Sequence, residues 1–102
     1  MNYPDDMDAE CVVLCDALNS LIGIDTIESC CGHGTRPHRI FFTAKWVEDL
    51  RPILEKIDDT AWFVQCGWAS GSDTLYFFLE GPIGPSDIPG GANDLARMLL
   101  SL

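Results

Sequence analysis

Basic residues are scarce: six Lys and Arg stand against 16 Asp and Glu, leaving a net charge of −10. That balance speaks against non-specific nucleic-acid binding and against attraction to anionic lipid, since both need basic surface to displace counterions from phosphates. Long apolar runs are also missing. Nothing approaches the roughly 20 residues that cross a bilayer, and Met1-Asn2-Tyr3-Pro4-Asp5-Asp6 has neither the basic start nor the apolar stretch of a secretory signal. A cytoplasmic location without a membrane partner is expected. The five cysteines include no Cys-x-x-Cys pair. An odd set in a reducing compartment predicts thiols, metal ligands or packed small hydrophobes, not a disulfide framework. Internal repeats and low-complexity tracts are absent, and 102 residues predict a single domain over 1–102.

What is present begins with a helical pattern. Asp5, Asp6, Asp8 and Glu10 suit a helix N-terminus, and Met7, Cys11, Leu14, Cys15, Leu18, Leu21 and Ile22 follow at helical spacing, predicting a helix over roughly 5–21. Gly23 ends it. Ile24 to Cys31 reads as a strand running into a Gly32–Gly34 turn, and His38 to Thr43 as the returning strand. A second helix over Lys45 to Ile57 presents Trp46, Leu50, Ile53, Leu54 and Ile57, with Pro52 predicting a kink or a late start. Ala61 to Trp68 and Thr74 to Glu80 form an expected hairpin. Gly81 to Gly91, with its three prolines and four glycines, is expected to be irregular. Asn93 or Asp94 would cap a last helix carrying Leu95, Met98, Leu99 and Leu102. The expected fold is therefore α+β, a four-stranded mostly antiparallel sheet with helices packed on it, in the order α-β-β-α-β-β-α.

Phe41-Phe42, Trp62-Phe63 and Phe77-Phe78 are adjacent aromatic pairs, and neighbouring side chains on a strand point to opposite faces. Helices on one face would leave an aromatic face bare. Cover is expected from the Gly81–Gly91 segment and last helix, from a second subunit, or from a ligand, with the first two favoured together and a homodimer as the working hypothesis. Trp62, Val64, Cys66 and Trp68 share one strand face and read as core or subunit contact.

The stretch Ser29-Cys30-Cys31-Gly32-His33-Gly34-Thr35-Arg36-Pro37-His38-Arg39 concentrates the chemistry. No Asp or Glu occurs from Ser29 through Val47, while Arg36, Arg39 and Lys45 do, so a basic island lies in an acidic chain. Gly32 and Gly34 permit backbone N–H groups to converge on an anion, and Arg36, His38 and Arg39 can complete a site for a small anion or a nucleotide-like ligand. The same glycines also suit a plain hairpin. A second reading makes the chain a thiol-dependent enzyme: Cys31 as nucleophile with His33 beside it and Cys30 turned toward the core. Cys30, Cys31, His33 and His38, with Cys66 from another strand, are competent zinc ligands, but adjacent Cys30 and Cys31 point apart on a regular strand and no metal is assigned. Cys11 and Cys15 continue the apolar stripe of the first helix. Glu28 and Asp25 could orient His33 or His38, and Asp58-Asp59 reads as a solvated helix end. A third class is a structural or interaction protein whose turn only reverses the chain.

Thr26-Ile27-Glu28-Ser29-Cys30-Cys31-Gly32-His33-Gly34, with Arg39-Ile40-Phe41-Phe42, resembles a signature of short bacterial and phage proteins to which no function attaches. Over roughly residues 10–42 the chain also resembles the wybutosine-synthesis tRNA methyltransferase family, in which a helix leads into a Thr-x-Ser-Ser-Cys-Ser-Gly-Arg segment. Thr26, Ser29, Cys30 or Cys31, and Gly32 would correspond, with Arg36 in place of the adjacent arginine. That resemblance implies an S-adenosylmethionine-dependent enzyme acting on tRNA; composition and length point to no particular cofactor.

Overall fold

The computed structural model describes residues 9–30, 35–68 and 75–101. Its elements run α1 Ala9–Asn19, β1 Ile24–Cys30, β2 Pro37–Ala44, a 3₁₀ turn Val47–Leu50, α2 Arg51–Ile57, β3 Phe63–Trp68, β4 Leu75–Ile83 and α3 Ala92–Leu100. The four strands make one antiparallel sheet in the order β1-β2-β4-β3. This is the expected α+β class with the expected element order.

On α1, Cys11, Leu14, Cys15 and Leu18 recur at helical spacing and are buried, as is Ala17. The helix ends where side chains take over from its backbone: the Ser20 hydroxyl donates to the Ala17 carbonyl at 2.6 Å. The Asn19 amide donates to Thr26 Oγ1 at 2.9 Å and accepts from the Thr26 N–H at 2.9 Å, tying the helix end to β1. Ile22, expected on the apolar stripe, lies beyond this stop and is exposed.

Pro52 sits in the first turn of α2, where a missing N–H costs nothing, so the helix starts late and is preceded by the 3₁₀ turn. That interruption resets the periodicity. Leu50, Ile53 and Ile57 are buried, whereas Trp46 and Leu54, expected on the same stripe, face solvent.

Three further expectations are corrected. β4 does not stop at Glu80 but continues through Gly81, Pro82 and Ile83, because β2 offers Pro37 as a partner for Ile83. The last helix is capped by Gly91 instead of Asn93 or Asp94, and the Asp94 carboxylate accepts instead from the Gly90 N–H at 2.8 Å. The 84–91 segment and α3 lie on the same side of the sheet as α1 and α2, where Leu95, Ala96 and Leu99 join the core of Leu14, Leu18, Ile40, Phe42 and Leu79. They give the opposite face no cover.

The ring of Trp62 explains part of this arrangement. It packs flat on Gly81, where a Cβ would stand 2.5 Å from ring carbons, and its indole N–H donates to the Gly90 carbonyl at 2.8 Å. Only glycine leaves room for that ring, which then anchors the returning segment beneath the sheet.

Candidate functional site

Cys31, Gly32, His33 and Gly34 lie outside the described residues, as does the side chain of Cys30. The Cys30 backbone pairs with Arg39 across the β1–β2 ladder. Of the expected ligand-binding residues, Arg36, His38 and Arg39 are described, and they do not converge. Arg36 is exposed in the turn before β2. His38 and Arg39 are neighbours on β2 and point to opposite faces.

His38 is 1% exposed and belongs to the helix side of the sheet. Its Nδ1 lies 3.3 Å from the Pro82 carbonyl oxygen, which can only accept, so Nδ1 carries the hydrogen. In the neutral ring Nε2 then accepts from the Ser86 hydroxyl at 3.1 Å. A serine hydroxyl on an imidazole is also the geometry of an activated nucleophile. Here Ser86 is 5% exposed, the Trp62 ring stands 6.1 Å from the imidazole, and the Ser86 carbonyl accepts from the Asn93 N–H. The pair therefore fastens the 84–91 segment to the sheet.

The described thiols occupy two environments. Cys11 and Cys15 are buried in α1, as their spacing suggested, and burial pushes the Cys15 thiol up. The nearby Ser29 hydroxyl offsets part of that rise, the Asp16 carboxylate adds to it, and Thr26 offsets a little more. Ser29 Oγ is itself buried and meets full hydrogen-bond geometry to no group among the described residues. Cys66 is exposed on β3, opposite Phe77 and three residues along from the Phe63–Glu80 pair, away from buried His38. Among the described residues no three His, Cys, Asp or Glu side chains come together as a metal site would require. Thr26 and Ser29 turn their hydroxyls toward α1: one is engaged by Asn19 and the other sits beside Cys15.

The helix-free face is the alternative the geometry offers. Phe41 on β2 lies between Phe78 and Tyr76 on β4, with ring centroids 5.6 and 5.8 Å away. The Arg39 guanidinium stands 5.4 Å over the Phe78 ring, and its Nε donates to Glu80 Oε1 at 2.9 Å. Tyr76 folds across Gly67 of β3, whose absent Cβ would meet the phenol ring at 2.5 Å. The result is a low aromatic strip along the two central strands. Phe63 and Gln65 on β3 flank it on one side, and Asp25 and Glu28 on β1 on the other. Sequence alternation signalled the aromatics. The Arg39–Glu80 pair and the fit of Tyr76 over Gly67 depend on cross-strand register, which alternation does not fix.

No protein-family model matches the chain, and no curated protein or solved structure is detectably similar to it.

Proposed function

We propose that this chain is an interaction domain that self-associates, burying the helix-free face of its sheet against the same face of a second copy. The observation that carries this reading is the strip of Phe41, Tyr76 and Phe78, half-buried within the chain and covered by no helix among the described residues. Contiguous apolar surface of this kind on a small domain marks a contact site. Electrostatics leave this face open to a second copy. The chain carries −10, so copies repel over most of their surface, yet on the central strands of this face Arg39 and Glu80 cancel. A neutral aromatic centre is where two acidic copies meet with least cost.

Four strands spaced about 4.8 Å apart, over about six residues at about 3.3 Å each, give a face of about 400 Å² per copy. That is about half a standard partner's share, the size of a weak, transient contact. Sedimentation velocity on the full chain up to about 100 µM should show concentration-dependent dimer. Phe41→Glu should give monomer with its melting temperature little changed; a wild-type chain that stays monomeric throughout would overturn the reading.

A second reading is supported by exposed Arg36 within the only basic stretch of the chain: a small anion held around Arg36. Millimolar phosphate or a nucleoside monophosphate should then raise the melting temperature of the wild type but not of an Arg36→Ala and Arg39→Ala double variant. No rise in the wild type would remove it.

A further inference from the structure

The helix-free face is not symmetric across its width, and this determines how two copies can meet. One edge, β1, carries Asp25 and Glu28; the other, β3, presents Phe63 and Gln65 without charge. On the two central strands Arg39 of β2 stands directly opposite Glu80 of β4, at the same height, in the row where Cys30 ends β1 and Phe63 begins β3. A face-to-face pair related by a two-fold axis has two simple arrangements. An axis across the strands lays each strand over its own copy. Four carboxylates then share one edge, and no arrangement sets Arg39 against Glu80 at equal height. An axis along the strands lays β1 over β3 and β2 over β4. Each acidic edge then meets an uncharged one, and heights along the strands are preserved.

Resting on the self-association proposed above, we propose that the dimer axis runs parallel to the strands, so that Arg39 of each copy faces Glu80 of the other. The four charges alternate in sign at one end of the interface. Each guanidinium keeps its cation–π seat on Phe78 while gaining a second carboxylate. The aromatic strips lie to one side of this ring of charges along the strands, Phe41 of one copy facing Phe78 of the other. Arg39 and Glu80 thus become the residues that choose partner and orientation, a role charge pairs fill at interfaces whose affinity comes from apolar contact. The acidic β1 edges supply the complementary half of the selection, since they penalise the competing arrangement.

Charge reversal tests the orientation. Arg39→Glu leaves two carboxylates on the face and Glu80→Arg leaves two guanidiniums, and each variant alone should lose at least about tenfold in dimer affinity. Mixed in equal amounts they should form a heterodimer within about threefold of wild-type affinity, and the Arg39→Glu/Glu80→Arg double variant should recover a homodimer. Sedimentation equilibrium reads the affinities, and circular dichroism with thermal melts checks that each variant is folded. A wild type that never dimerises overturns the self-association itself. A wild type that dimerises, with folded single variants that neither weaken alone nor recover on mixing, overturns the axis and leaves self-association standing. Should either reversal fail to fold, Arg39→Gln and Glu80→Gln perturb the same positions less and discriminate in the same way: both weaken the dimer if the pairs cross between copies, and neither does if they stay within one.

Discussion

The two faces of this sheet are built from the same strands and share a backbone, yet they deploy their side chains differently. β2 turns His38, Ile40 and Phe42 toward the helices, where each is essentially sealed, and Arg39 and Phe41 toward the open side, where neither is. β4 divides Phe77 and Leu79 from Tyr76, Phe78 and Glu80 in the same way. Inside, apolar volume is closed by three helices, and the imidazole of His38 has a partner at both nitrogens. Outside, aromatic area of similar quality is closed by nothing in the described chain. Aromatic rings on the two faces therefore sit in different settings: sealed under helices on one, half-buried on the other.

The sharpest way to break that comparison is to truncate neighbouring phenylalanines. Phe42→Ala should cost about 3–5 kcal/mol in urea unfolding, because its ring is fully enclosed, while Phe41→Ala should cost about 1 kcal/mol measured at monomer concentrations and yet weaken self-association. Similar losses at both sites would mean the open face is a second core. Next in size is the fastening of the inner face: Ser86→Ala should cost about 1–2 kcal/mol, since His38 Nε2 loses its donor. Hydrogen exchange should then rise over 84–91 and leave β1 unchanged. A uniform rise across the sheet would show that Ser86 supports the whole fold instead of one segment.

The smallest effect concerns pH. Cys15 is raised when folded, so its neutral thiol is favoured inside. Its contribution to stability is complete below the ordinary thiol value of 9.0 and is lost as pH rises from there through the raised folded value. Denaturant titrations at neutral and strongly alkaline pH should therefore show a steeper alkaline loss in wild type than in Cys15→Ala. An identical slope in the two proteins would place the thiol's environment closer to water than the inner face allows. For the same reason Cys15 should resist alkylation in the native protein, whereas Cys66 reacts.

How much of this was legible beforehand follows from the range of the interactions involved. Element order came from local periodicity, and adjacent aromatic pairs announced a sheet apolar on both sides. Local signals misled where a distant partner decided the outcome. Gly81 and Pro82 look like chain breakers until Pro37 offers a strand partner one step beyond them, and Trp46 looks like core until the 3₁₀ turn shifts the phase of α2. His38 and Arg39 read as one basic cluster because adjacency in sequence is easily taken for adjacency in space. On a strand it means the reverse.

The strand order has a consequence for how the chain acquires this shape. β1 with β2, and β3 with β4, are near neighbours in sequence, whereas β2 and β4 meet only after the whole α2 and β3 region has been traversed. Each half can close its own ladder on a fast, local timescale, but the seam from Phe42–Phe77 to Pro37–Ile83 must wait for a long loop to close. Closing that seam therefore carries the largest loop-closure cost of the three ladders. Until it is complete, both flanks of the future seam are unpaired strand edges bordered by aromatic rings.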